Sequence, residues 1–236
     1  MSGRLGLEGR CALVTGGGAN GGRASVQGLR EEGMTVVFTD VSRERGDSIA
    51  QHTGAMFLEC GPLDRAATDG AVERALELCS GRLDVLVTTA DTVYEESVQR
   101  TSDPMFRELI EANLTALFRT ARACFEQMRV QGGGSMIHVV SAAGIRAAHE
   151  AAAFSVASAG ALAVAELLAA EGGPHGIRSN AVCPGWGDEA AHDEPAGRTL
   201  ASLVAWLACD DSAHMSGATL RLDGGASAAM ILDTRA

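Results

Sequence analysis

The residues of this chain best suited to chemistry begin with the glycine-rich run Thr15-Gly16-Gly17-Gly18-Ala19-Asn20-Gly21-Gly22, which follows an apolar stretch and opens a helical one. Backbone N–H groups in such a turn approach a pyrophosphate closely, and the helix dipole favours the anion. Asp40 ends the next apolar run, where a carboxylate accepts hydrogen bonds from ribose hydroxyls and repels a 2′-phosphate. A second group is Ser141, Tyr94 and His149, with Arg146 nearby in sequence: a hydroxyl, the chain's only phenol and an imidazole that titrates near neutrality. Together they could serve lyase, cyclase or isomerase chemistry without a nicotinamide, although the simplest reading of His149 is an exposed loop residue. No GxSxG elbow surrounds Ser141, which argues against a hydrolase. The chain has no lysine, since all 19 of its Lys and Arg residues are arginine. No ammonium is therefore available to lower the pKa of a phenol for proton exchange near neutral pH.

The elements that must position these groups alternate along the chain. Apolar runs at 11–15, 35–39, 55–58, 85–89, 135–140, 177–182 and 218–222 read as short buried strands. Helical patterns fill 21–32, 43–52, 65–80, 103–130, 152–172 and 198–209. Strand and helix in repetition predict an α/β fold, a Rossmann-like doubly wound domain with a seven-stranded parallel sheet flanked by helices on both faces. The series leaves no room for a second domain, so residues 1–236 read as one unit. Hydrophobic content of 46% supplies a core, and the net charge of -11 makes nucleic acid and anionic membranes poor partners. No run approaches ~20 apolar residues, so no membrane span is expected. The six cysteines stand far apart with no CxxC spacing, which predicts no metal site and buried thiols in a reducing cytoplasm.

With these residues in view, the chain resembles the short-chain dehydrogenase/reductase (SDR) family over almost its full length. The turn at 15–22, Asp40, GRLDVLVTTAD at 81–91, Asn113 in EANLTALF, Ser141, Pro184-Gly185 and GATLRLDGG at 217–225 carry the resemblance. It implies an NAD(H) site and four catalytic positions, Asn, Ser, Tyr and Lys. Asn113 and Ser141 match two of them, but the Tyr position is Phe154 and the Lys position is Ser158. Phe has no proton to give and Ser158 no charge, so Asn113 and Ser141 read as structural.

The cofactor positions implied by the resemblance are Thr15, Gly16, Asn20, Gly22, Asp40 and Asp91. Gly16 and Gly22 match the first and third glycines of the family's turn, whereas Asn20 replaces the middle one and would crowd the phosphate path. Gly61, followed by Pro62, replaces an Asp that contacts adenine in the family, and Asp91 replaces a glycine. A second negative charge ~4–6 Å from the cofactor's own costs on the order of 1 kcal/mol or more. The expectation is a vestigial site: no cofactor, or NAD held weakly. The segment after Gly185, where the family carries a lid, is short and acidic.

The surfaces used for assembly in the family look intact. Over 151–170 the only charged residue is Glu166, so this helix reads as covered on nearly all sides, with Gly160, Ser155 and Ser158 allowing close approach of a neighbour. Charge placed at Ala161 or Ala165 is expected to split the assembly. A second interface would use 198–209, with Trp206, and the last strand. The resulting expectation is a catalytically inactive subunit in a heterotetramer with an active SDR relative, for which an acyl thioester is one candidate substrate class, or a homodimer through the same helices. The alternative is a nicotinamide-independent enzyme using the old substrate cleft.

Overall fold

A computed structural model describes residues 5–18, 20–90, 92–185 and 196–228. In chain order the elements are β1 (Cys11–Val14), α1 (Asn20–Glu31), β2 (Thr35–Asp40), α2 (Arg43–Thr53), β3 (Met56–Glu59), α3 (Arg65–Leu78) and β4 (Val85–Ala90). They continue as α4 (Asp103–Ile110), α5 (Ala116–Gln131), β5 (Gly134–Val140), α6 (Ala152–Gly172), β6 (Ile177–Pro184), α7 (Ala196–Ala208) and β7 (Thr219–Leu222). The strands form one sheet in the order β3-β2-β1-β4-β5-β6-β7, and every neighbouring pair is parallel. The order reverses between β1 and β4, and the crevice above their carboxyl ends is where open sheets of this kind bind ligands.

The strands read as continuous apolar runs because both faces of the sheet are covered. Successive residues point to opposite faces, so Ala12 and Val14 pack with α1 and α7 through Leu29, Val204 and Leu207, while Leu13 packs with α3 and α5 through Val72, Cys124 and Met128. Helix starts follow local chemistry. Ser42, Asp64 and Ser102 cap α2, α3 and α4 by accepting hydrogen bonds from the N–H groups of Arg45, Ala67 and Met105. The six cysteines are free, and burial pushes the Cys124 thiol up to about 12.

The helix expected over 103–130 is interrupted. Residues Glu111–Thr115 form a π-helical turn between α4 and α5. Asn113 lies in that turn, buried, and its side chain clasps one residue of the β4–α4 loop. Its Oδ1 accepts from the Thr92 N–H at 3.0 Å and its Nδ2 donates to the Thr92 carbonyl at 2.6 Å. The widened turn spends helical regularity to hold that loop.

Helix α6 is long and apolar enough by composition to cross a membrane, with a mean hydropathy of 1.8 over its most apolar stretch, where the sequence led us to expect no such segment. Its alanines and glycine make that stretch without any run of large side chains. It lies on the sheet with Ala153, Ala157, Ala161, Ala165 and Leu168 buried. One face is uncovered in the single chain: Val156, Ala159, Ala163, Leu167 and Ala170 form an exposed stripe at helical spacing, with the exposed Glu166 beside Leu167. The small residues also have a different role from the one expected. A Cβ on Gly160 would lie 2.7 Å from Leu114 of the same chain, and Ser155 and Ser158 are buried inside the domain. They permit intrachain packing.

A buried polar chain crosses three strands. His138 on β5 bonds to Thr88 Oγ1 on β4 at 2.8 Å and Ser179 Oγ on β6 at 3.2 Å. Ser179 Oγ also donates to the Ala165 carbonyl on α6 at 2.9 Å. Burial lowers the His138 pKa from 6.5 to about 4, so the ring is neutral in the folded chain. Between these values the unfolded chain binds a proton that the folded chain does not. Stability is therefore full above pH 6.5 and falls as pH drops toward 4, by on the order of 3 kcal/mol. Urea midpoints measured across this window should decline, and His138→Gln should flatten the decline.

Candidate functional site

The turn after β1 keeps the packing that a dinucleotide fold needs. Gly16 has φ +66°, and a Cβ on Gly22 would lie 2.1 Å from the Gly16 carbonyl oxygen, so α1 can start against the strand only with glycine there. Thr15 is used structurally: its Oγ1 accepts from the Thr89 N–H at 3.2 Å, which ties β1 to β4 at the crevice. Asn20 is the first residue of α1. Its side chain, Asp91 and the 186–195 segment expected as a reduced lid lie outside the described residues.

Asp40 reaches the crevice from the end of β2, but its carboxylate is engaged by the protein itself. Oδ2 accepts from the Gly18 N–H at 3.1 Å, and Oδ1 accepts from the Ser42 N–H at 2.8 Å and Arg45 Nη2 at 2.9 Å. A carboxylate offers about four acceptor sites, so roughly one is left for a ribose hydroxyl. The sequence reading missed Arg45, although its place in the first turn of α2, five residues beyond Asp40, was a usable signal. Gly61 and Pro62 line the same crevice without a polar side chain. Among the described residues the crevice thus offers a glycine turn and one remaining acceptor site on Asp40.

On the other side of the switch point, Ser141 follows β5 and caps the short turn Ala142–Gly144, its Oγ accepting from the Ala143 N–H at 3.1 Å. Phe154, on the first turn of α6, is 2% exposed and packs with Ala143, Ala151 and Ala148. Ser158, one turn later, is 0% exposed, and its hydroxyl finds no partner among the described residues. A Cβ on Gly144 would lie 2.7 Å from the Ser158 carbonyl carbon, so the turn after Ser141 rests directly on the helix backbone there. Among the described residues, the Phe154 and Ser158 positions present a buried ring and a buried hydroxyl.

The groups considered as replacements are not brought together. The Tyr94 hydroxyl donates to Glu108 Oε1 at 2.8 Å on α4, and that carboxylate raises the phenol pKa above its usual 10. Activation of a phenol requires the opposite shift. The His149 side chain is 94% exposed, beside Glu150. Among the described residues no hydrogen bond joins Ser141, Tyr94 and His149. Because Tyr94 is the only tyrosine, an ultraviolet titration reads it alone, and it should ionise above pH 10 in the native chain and shift downward in Glu108→Gln. Among the described residues no three His, Cys, Asp or Glu side chains gather as a metal site.

Comparison with known proteins agrees with this architecture. Residues 10–196 match the family model described as short chain dehydrogenase. The chain is 30% identical to the 3-oxoacyl-(acyl-carrier-protein) reductase FabG of Escherichia coli (strain K12), over 94% of this chain and 98% of that protein. It is also 30% identical to the 2-keto-3-deoxy-L-fuconate dehydrogenase of Xanthomonas campestris, over 93% of this chain and 80% of that one. A crystal structure of a short chain dehydrogenase from Mycobacterium smegmatis superimposes with a TM-score of 0.85 at 27% identity, covering 94% of this chain and 95% of that one. Sheet order, glycine turn and these similarities agree: the chain belongs to the short-chain dehydrogenase family of oxidoreductases.

Proposed function

We propose that this chain is a non-catalytic member of the family that serves as a subunit, assembling through α5 and α6 with an intact, active relative. The observation that carries the reading is the pair Phe154 and Ser158. They occupy the positions of the family's proton donor and its lysine, and both are buried in a chain with no lysine at all. The fold around them is kept in full, which supports a structural use.

The exposed stripe on α6 supplies the docking surface. Val156 is 52% exposed and Leu167 46%, on the side of the helix opposite its buried residues Ala157, Ala161, Ala165 and Leu168. Phe118 and Phe125 on α5 are only partly covered, with Arg122 over the Phe118 ring at 5.6 Å. Such a face, with small residues at its centre, suits helix-on-helix packing. The relative named as a 3-oxoacyl-(acyl-carrier-protein) reductase motivates an acyl thioester as the partner's substrate class.

Two measurements bear on this reading. Ala163→Arg places a charge in the middle of the stripe without touching the core. Light scattering should show the assembly reduced to single chains with unchanged circular dichroism, and an unaltered assembly would count against these helices as the interface. NAD(H) binding by the isolated chain should be weaker than a dissociation constant of ~100 μM, about 5.5 kcal/mol, when read by calorimetry.

A further inference from the structure

A cleft of about 490 Å³ opens at the amino ends of β1, β4, β5 and β6, at the opposite end of the sheet from the glycine turn. Its polar lining consists of three arginines, three carboxylates and Ser135. The charges balance in number, but the hydrogen bonds do not. Both oxygens of Asp210 accept from Arg10, at 3.0 and 2.8 Å. Those of Asp84 accept from Arg82 Nε at 2.7 Å and from the Cys11 N–H at 2.9 Å. Ser135 Oγ donates to the Leu207 carbonyl at 2.8 Å. Arg178 has no carboxylate partner among the described residues. Its Nη2 donates to the carbonyls of Leu207 and Cys209 at 2.8 and 3.3 Å, and its Nη1 is buried with no acceptor. Arg82 keeps both Nη groups unspent among the described residues, and the third carboxylate, Glu8, stands on the exposed rim.

We infer that this cleft binds a small oxyanion of the phosphate type, with Arg82 and Arg178 as its donors. Each oxygen of Asp84 and Asp210 already holds a donor, whereas guanidinium N–H groups are left over, so the cleft is short of an acceptor. A buried N–H left unpaired is costly, and charge-assisted bonds to an anion are about twice as strong as neutral ones. Arg82 precedes β4 and Arg178 lies on β6, so their strands are about 10 Å apart, at ~4.8 Å per neighbour. Two arginine side chains close that gap over one phosphate, whose oxygens accept from both forks. Gly133, Gly134 and Gly176 leave the wall between them free of side chains. This inference stands apart from the subunit reading, since neither arginine lies on α5 or α6.

The test is calorimetry on the full chain with inorganic phosphate, the ionic strength held constant with sodium chloride. One phosphate should bind per chain with a dissociation constant of ~1 mM or below. Arg82→Gln, at an exposed side chain, should weaken it at least tenfold with the melting temperature little changed. Arg178→Gln should weaken it similarly and lower the melting temperature, because the end of α7 loses its bonds to this side chain. Arg45→Gln, at the crevice beside the glycine turn, should leave phosphate binding unchanged. Glycerol 3-phosphate separates the sources: tighter binding than inorganic phosphate assigns the site to a phosphate ester, and equal or weaker binding assigns it to the free ion. If Arg178→Gln does not fold, Arg82→Gln decides. Absence of saturable phosphate binding overturns the inference. So does binding that survives Arg82→Gln, or binding that is lost in Arg45→Gln.

Discussion

The purified chain should show no steady NAD(P)H-dependent reduction or oxidation of any carbonyl or alcohol. The double substitution Phe154→Tyr with Ser158→Lys should not create it. A positioned general acid contributes typically ~10²–10⁴-fold, and the Phe154 side chain has no proton to supply. The structure adds a reason why restoring the two residue types is insufficient. Ser158 is fully buried and the turn Ala142–Gly144 sits on its backbone, so an ammonium there would enter without a partner among the described residues. An unpaired buried charge costs several kcal/mol, which is a large part of a domain's ~5–15 kcal/mol of stability. We expect Ser158→Lys to lower the melting temperature steeply. Phe154→Tyr alone should fold and remain inactive, so the two effects are separable. Steady turnover by a homogeneous preparation of the native chain contradicts this account.

The second large effect separates two positions on one helix. Ala161 is 0% exposed and packs against Ala90, Leu117 and Val140, whereas Ala163 lies on the open stripe. Ala161→Glu buries a carboxylate with nothing to pair it, so this variant should be unfolded or insoluble. Ala163→Arg should keep its melting transition. From the sequence alone both alanines belong to an uncharged helix, and Ala161 and Ala165 had seemed suitable interface positions. The structure corrects this: both face the sheet. Thermal melting of the two variants side by side is the check, and a normally folded Ala161→Glu contradicts the packing described here.

The fold was legible because its signals are short-range and repeated. Apolar runs bounded by glycines and caps place every strand within one or two residues, and the glycine turn with Asp40 marks the crevice. What stayed illegible depends on contacts between distant residues. The π-helical turn at Glu111–Thr115 arises because Asn113 is pinned to Thr92, twenty-one positions away, and no local propensity records that. The use of Asp40 by Gly18, Ser42 and Arg45 decides what is left for a ligand, and residue types alone do not give it. Likewise Phe154 and Ser158 are visible in the sequence as substitutions, while their burial appears only when the turn after Ser141 is placed against α6. The Tyr94, Ser141 and His149 grouping was a proximity argument, and the loops send Tyr94 to Glu108 and His149 to solvent.

The central claim is that this chain works as a partner for an active relative, and co-expression with an intact family member from the same cell tests it most directly. The two chains should co-purify in a fixed ratio, the active one should be less stable or less active when made alone, and Ala163→Arg in this chain should abolish the complex. If the two never co-purify and the active relative is fully stable and active by itself, the subunit reading fails.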